Sequence, residues 1–371
     1  MRFIIFATVF LFVMGLLSFF ISKRFIKKLD IPKKSKLFLN IFLLINFLGI
    51  IAYMASRYLV SVPNDLYFFL SLPIGVIFLL FCTTLMYEVL SHLPKVRKDE
   101  KRRAFMKKSI DLGSLAFATS ITARAIYNAK QSYVENVSVK IPNLKKPYNV
   151  VQLSDVHIGG LIDQDFIKNI VNKVNKLNPD AVFITGDLVD TNMNFAKDAV
   201  DELKNLKSKY GTYYIVGNHE YFHGVQEIMT YLKSIGIRVL ENENVYIGEK
   251  DSGFNLAGVY DLFGYKANNF APNIKKALEN MKNSPTILLA HQPKYIKELD
   301  KLDIDLVLSG HTHGGQIVPF NLLVRLEQPY IKGLHQHNPK TQIYVSKGTG
   351  FWGPPMRLGA SSEITYLKLT S

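Results

Sequence analysis

Cysteine is nearly absent: Cys82 is the single thiol in 371 residues. One thiol makes no intramolecular disulfide and no cysteine-based metal site, so any bound ion must rely on other donors. Acidic residues are scarce in the first part of the chain. Residues 1–108 hold 17 Lys/Arg against 5 Asp/Glu, whereas the remaining 263 hold 28 and 25. The formal charge of +15 is therefore concentrated rather than spread. A nucleic-acid-binding protein carries its basic footprint on a folded domain. Here the excess lies in a largely apolar segment, and no nucleic-acid partner is expected.

Polar residues are missing from three long runs, roughly residues 3–22, 37–60 and 67–90. Each supplies about the 20 apolar residues that a bilayer core demands. No small-residue cleavage site follows the first run and further runs come after it, which excludes a removed signal peptide. Buried helices of a soluble core would be shorter and flanked by caps rather than lysines. Residues 1–94 read as a three-helix transmembrane region, and the bilayer is the first expected partner. The loop 23–36 carries seven Lys/Arg, 61–65 none and 95–108 eight. The positive-inside rule puts the first and third in the cytoplasm. Arg57 and Glu88 lie near the ends of their runs, so the spans offer no ion path of the kind a transporter needs.

Residues 95–147 read as a basic segment, a weakly apolar fourth helix and a linker. The stretch 112–123, "LGSLAFATSITA", is closely flanked by Asp111 and Arg124. Before it, "KRRAFMK" (101–107) resembles a twin-arginine export signal. That resemblance implies the export machinery as a partner. It also implies an inner-membrane, multi-pass protein whose C-terminal domain faces the periplasm or exterior. A basic stop at the cytoplasmic face is the alternative. Residues 141–147, "IPNLKKP", read as the linker.

From 148 onward strand-like runs alternate with amphipathic stretches, the pattern of an α/β domain. The runs are "NVVQLS", "DAVFIT", "TYYIVG", "FNLAGVY", "TILLAH" and "IDLVLSG"; helices are expected over 163–177, 195–209, 224–235, 273–283 and 294–302. Polar residues gather where the runs end: Asp155 and His157, Asp187 and Asp190, Asn218 and His219, His291, and then His311 and His313 in "SGHTHGG". Open α/β sheets bind ligands beyond the carboxyl ends of their strands. Each pair alone is an ordinary turn or cap. Five together deliver carboxylate, amide and imidazole to one rim, a donor set suited to Mn, Fe or Zn rather than Ca.

The order D-x-H, GDxxD, GNHE, H, GHTH resembles the calcineurin-like metallophosphoesterases over residues 148–371. "GDLVD", "GHTHGGQI" and the tail "YVSKGTGFWGPPMRLGASSEITYLKL" are similar to the membrane-associated branch typified by the YaeI and YkuE phosphodiesterases. The resemblance implies a four-layer α/β/β/α sandwich. It implies two divalent metal ions, manganese among the candidates: one on Asp155, His157, Asp187 and His313, the other on Asp187, Asn218, His291 and His311. Asp187 would bridge them, at the roughly 3.5–4 Å that lets two ions act on one water. His219 would protonate the leaving group or bind the phosphoryl group. Asp190 would orient an imidazole, or else cap a helix. Glu220 reads as structural and Arg357 as a phosphate clamp. His223, His335 and His337 read as ordinary surface residues.

The expected function is therefore hydrolysis of a phosphate mono- or diester, or of a pyrophosphate, by a membrane-anchored enzyme. Phe351, Trp352 and Met356 beside Arg357 are expected to form a lip that meets a phosphorylated lipid or lipid-linked substrate. The alternatives are a silent metal-binding scaffold, and a cytoplasm-facing pyrophosphohydrolase of the UDP-diacylglucosamine type.

Overall fold

The computed structural model describes residues 2–56, 64–93 and 99–371. Its contacts divide the chain into two units, Met1–Asn128 with Gly353–Met356, and Ala129–Trp352 with Arg357–Ser371. The expected polar loop at 61–65 and the basic stretch from 95 fall partly on residues 57–63 and 94–98, outside those described.

In the first unit the apolar runs form α1 (Arg2–Arg24), α2 (Lys33–Ser56) and α3 (Asn64–Leu90). The stretches Ile5–Lys28, Lys33–Ser56 and Asp65–Leu90 are each long and apolar enough to cross a membrane. Many of their large side chains face outward, Phe12, Phe38 and Phe69 among them. That suits hydrocarbon rather than water as the surroundings. The polar groups collect at one end. Lys28 donates to Glu88 at 2.7 Å, and the buried Asp111 accepts from the Tyr87 hydroxyl at 2.8 Å and from the Asp30 N–H at 2.6 Å. Lys107 pairs with the same carboxylate. The basic loop after α1 and the basic residues before Asp111 thus share one end of the helices, as their charge predicts.

The fourth helix, α4, differs from the expectation. It is one unbroken helix from Glu100 to Ala129, and it takes in the twin-arginine-like residues Arg102 and Arg103. Among the described helices only the first three have the length and composition of a span. In α4 the apolar stretch between Asp111 and Arg124 is short for that purpose.

The second unit begins earlier than residue 148. Strand β1 (Ser132–Lys140) pairs in parallel with the C-terminal strand, so the sheet starts ahead of the expected linker. The other strands are β2 (Tyr148–Leu153), β3 (Ala181–Thr185), β4 (Thr212–Ile215), β5 (Arg238–Val239), β6 (Glu243–Ile247), β7 (Phe254–Gly258), β8 (Thr286–Leu289), β9 (Leu306–Ser309), β10 (Gly333–Gln336), β11 (Gln342–Val345) and β12 (Ser362–Thr370). They form two six-stranded sheets, β1-β12-β2-β3-β4-β5 and β10-β11-β9-β8-β7-β6.

Alternation along the strands sorts side chains onto two faces. Val150, Ala181, Phe183 and Leu367 of one sheet join Leu256, Ile287, Leu289, Leu306 and Leu308 of the other in a shared core. Their neighbours Val151, Leu153, Val182 and Ile184 turn outward, onto α5 (Gln164–Lys176), α6 (Met193–Asp201) and the later helix α8 (Val225–Ser234). On the far side Ala257, Leu288 and Val307 pack with Tyr295, Ile296 and Leu299. Helix, sheet, sheet, helix is the four-layer arrangement. The expected helices at 273–283 and 294–302 shrink to short turns at Ile274–Ala277 and Pro293–Glu298.

Candidate metal centre

Strands β2, β3 and β4 are mutually parallel in one sheet, and β8 and β9 are parallel in the other. Their carboxyl ends carry the motif residues. Glycines let the loops meet. A Cβ on Gly217 would lie 2.2 Å from Asp187 Oδ1, and one on Gly310 would lie 1.8 Å from Ser154 Oγ and 2.2 Å from Asp155 Oδ2. Neither position admits a larger residue without moving a site carboxylate.

The backbone there is held in an uncommon conformation. Asp155, His157, Asp187, His311 and His313 all have positive φ, between 49° and 70°. Such residues cost on the order of 1–3 kcal/mol each and persist only where surroundings fix them. Here hydrogen bonds do so. His311 N–H donates to both oxygens of Asp155, at 2.8 and 2.9 Å, and His219 N–H donates to Asp187 Oδ1 at 2.8 Å. The buried Glu220 carboxylate accepts the N–H groups of Asp187, Leu188, Val189 and Gly217, at 2.7–3.2 Å. Gln152, buried between the sheets, donates to Thr185 Oγ1 and to the Ser309 carbonyl.

The side chains converge. His313 Nε2 lies 3.0 Å from His157 Nε2 and 3.7 Å from Asp155 Oδ1. His291 Nε2 lies 3.2 Å from Asp187 Oδ2, which is 4.0 Å from His157 Nε2. Among the described residues four groups have the ligand-atom spacing of a metal site: Asp155, His157 and His313; Asp187, His291 and His311; His157, Asp187 and His219; and Asp190, His219 and His223. Asn218 Oδ1 and His311 Nδ1 are buried without a hydrogen-bond partner. Buried polar atoms are rarely left so, and divalent ions would satisfy them. Two imidazole nitrogens facing one another at 3.0 Å likewise call for a proton or a cation between their lone pairs. The donor set thus fits a pair of divalent ions.

Electrostatics separate the histidines. Burial pushes the His157 imidazole down to about 4 and that of His311 down to about 3, which leaves both neutral, as ligands must be. Burial alone would lower His219 too. The carboxylates of Asp187 and Asp190 outweigh it and raise His219 to about 9. Its Nδ1 donates to Asp190 Oδ1 at 2.7 Å. Asp190 therefore orients an imidazole and does not cap the following helix, whose N-cap is Asn192. It also takes the N–H of His223 Nε2 at 3.1 Å, so His223 belongs to the site rather than to the general surface.

Three expectations are corrected. Arg357 is wholly buried and is no phosphate clamp. Its guanidinium donates to the carbonyls of Gly350, Lys347 and Ala360 and lies 3.0 Å from His313 Nδ1. It ties the tail to the second site histidine. Phe351 is packed in the outer core with Val156 and Ile364. Met356 is buried as well. Trp352 alone of that group is open, 42% exposed, with its ring edge-on to His219 at 5.7 Å. Gln316 pins it by bonds to its main-chain N–H and C=O. His335 and His337 bind elsewhere, to the Lys332 carbonyl and to Asp300.

A profile of the calcineurin-like phosphoesterases matches residues 148–315. An uncharacterized metallophosphoesterase of Helicobacter pylori is 43% identical over 83% of each chain. One of Campylobacter jejuni is 37% identical across 100% of this chain and 99% of its own. The chain belongs to the calcineurin-like metallophosphoesterases. A bovine relative, named a transmembrane protein with metallophosphoesterase domain, is 38% identical over 73% of this metallophosphoesterase and 64% of its own length. The family uses divalent metals, and the clustered carboxylates and imidazoles here are of the kind that bind them.

The raised His219 gives a pH prediction with a definite sign. A histidine whose folded value exceeds its unfolded one, ordinarily about 6.5, contributes stability that is fully present below about 6.5. That contribution is lost as pH rises through about 9. In metal-stripped protein the melting-temperature advantage of the parent over His219→Gln should be largest near pH 6 and fade by pH 9.5, bounded at about 3 kcal/mol. An advantage that grows with pH would contradict the assignment.

Proposed function

We propose that this protein is a membrane-anchored phosphoesterase with two divalent ions, acting on a phosphorylated lipid or lipid-linked phosphate ester, as a relative of the YaeI- and YkuE-like phosphodiesterases. In this reading Asp155, His157, Asp187 and His313 hold one ion and Asp187, Asn218, His291 and His311 the other. When bound, the ions supply the positive charge that polarises phosphoryl oxygens and acidifies the attacking water. The protein's own residues do the rest. Asp190 fixes the His219 ring through Nδ1, at 2.7 Å. The opposite nitrogen, Nε2, is thereby turned toward Asp187, 3.9 Å from its Oδ2. A proton held there is placed for the leaving alkoxide.

The observation that carries the lipid reading is the apolar rim beside that proton donor. Trp352 and Phe222 both meet the His219 ring edge-on, at 5.7 and 5.9 Å, and Phe222 stacks its edge on Phe263 at 4.8 Å. The short helix Asn321–Glu327 has no buried residue, and Leu322, Leu323 and Leu326 are all exposed. It starts against the site loop, where a Cβ on Gly315 would lie 2.4 Å from Asn321. Exposed apolar surface on this scale marks an interaction site, and three candidate spans keep a bilayer within the chain's reach. The outward-facing placement of the catalytic domain is proposed from the export-like "KRRAFMK" at the start of α4.

Trp352→Ser keeps the main-chain bonds to Gln316 and should slow hydrolysis of phosphatidic acid in phosphatidylcholine vesicles about tenfold. Turnover of p-nitrophenyl phosphate should change less than about twofold. Equal losses on both substrates would remove the lipid reading. Protease added to spheroplasts should cut the catalytic domain; full protection would place it in the cytoplasm.

A further inference from the structure

One cluster of ligand-type side chains lies beyond the seven residues assigned to the ion pair. The sequence "HEYFH" (219–223) spaces His219 and His223 four apart across the single turn α7 (Glu220–His223). That spacing sets two imidazoles on one face, as in helical zinc sites. The intervening glutamate of such sites serves as a base, but here both oxygens of Glu220 are taken by main-chain N–H groups. The pattern thus offers two imidazoles and no base. The third donor comes from the loop after β3. Asp190 Oδ1 lies 2.7 Å from His219 Nδ1 and 3.1 Å from His223 Nε2. All three ligand atoms lie within 4.8 Å of one another. Zinc bonds of about 2.0–2.2 Å in a tetrahedron separate ligand atoms by roughly 3.3 Å, so a movement of a few tenths of an ångström would admit the ion. The side chains of His219, Asp190 and His223 are 13%, 18% and 23% exposed, which leaves water free to complete the coordination.

We propose that Asp190, His219 and His223 form a third metal site, for zinc, whose occupation inhibits the enzyme. On binding, zinc takes the lone pairs of His219 Nδ1 and His223 Nε2; the protons those nitrogens had donated to Asp190 leave to solvent, and a proton returns to His223 at Nδ1. Zinc on Nδ1 replaces the bond by which Asp190 fixes the ring, so Nε2 is no longer oriented by Asp190 as proton donor to the leaving group. The ion pair's ligands are untouched, so inhibition needs no loss of the other metals. The inhibition rests on the role proposed for His219; the binding does not.

The test uses the full chain in detergent, stripped of metal and then equilibrated with zinc alone or with manganese plus increasing zinc. Bound zinc is counted by mass spectrometry after desalting. His223→Gln should bind one zinc fewer than the parent. Its midpoint for zinc inhibition of manganese-supported p-nitrophenyl phosphate hydrolysis should rise at least about tenfold, as expected for loss of a metal-supporting side chain. Cobalt in place of zinc should give the parent a tetrahedral visible band that weakens in the variant. Equal zinc counts would overturn the site, whether or not the protein hydrolyses phosphate esters. One zinc fewer with an unchanged inhibition midpoint would overturn its inhibitory role.

Discussion

The Glu220 carboxylate gathers four main-chain N–H groups from two loops, those of Asp187, Leu188, Val189 and Gly217. Charge-assisted bonds of this kind are the strong ones, and a buried carboxylate deprived of them would be costly. The anchor fixes the loop after β3 against the loop after β4. Asp187 can then hold a positive φ of 49° while its side chain points toward His291. The same logic joins the two sheets, where His311 N–H binds the Asp155 carboxylate and Gln152 spans to Ser309. Carboxylates and imidazoles that would repel or wander in a looser frame are thereby packed within a few ångströms of one another. The chemistry proposed for the site depends on that frame more than on any single ligand.

Much of this was legible in the sequence because the ligand-type residues are tied to strand ends. A short apolar run followed by Asp-x-His or Gly-His-Thr-His states both the residue and its position. Residues that act by hydrogen bonding to backbone carry no such mark. Glu220 reads as structural without any hint of its four donors, and His223 reads as surface although Asp190 accepts its proton. Arg357 misleads for the same reason. A cation in a Gly/Pro-rich loop resembles an anion clamp, but the loop turns its carbonyls inward and takes up the guanidinium. Strand β1 was hidden because its edge is polar, with Glu135 and Lys140 exposed. Phe351 and Trp352 are adjacent in a loop, yet one packs into the core and the other stays at the rim.

The helical unit shows what a membrane segment asks of its charges. Lys28 meets Glu88, and Lys107, Tyr87 and the Asp30 N–H all meet Asp111, so buried or half-buried ionic groups at the basic end are paired. Other polar side chains in the three apolar helices bond to carbonyls about one turn back, as Thr83 and Thr84 do, or to one another between helices, as Ser22 does to Asn40 and Tyr67 to Tyr53. The unit has the means to anchor the chain and little sign of a transport path.

The central claim is that one carboxylate serves two metal ions. Parent protein and Asp187→Asn, purified together with manganese present, should be compared for bound metal and for hydrolysis of p-nitrophenyl phosphate. The account predicts two ions per chain in the parent. In the variant it predicts weakened retention of both ions and at least about a hundredfold loss of rate, equivalent to roughly 3 kcal/mol of transition-state stabilisation. Parent-like metal content and rate in Asp187→Asn would contradict it.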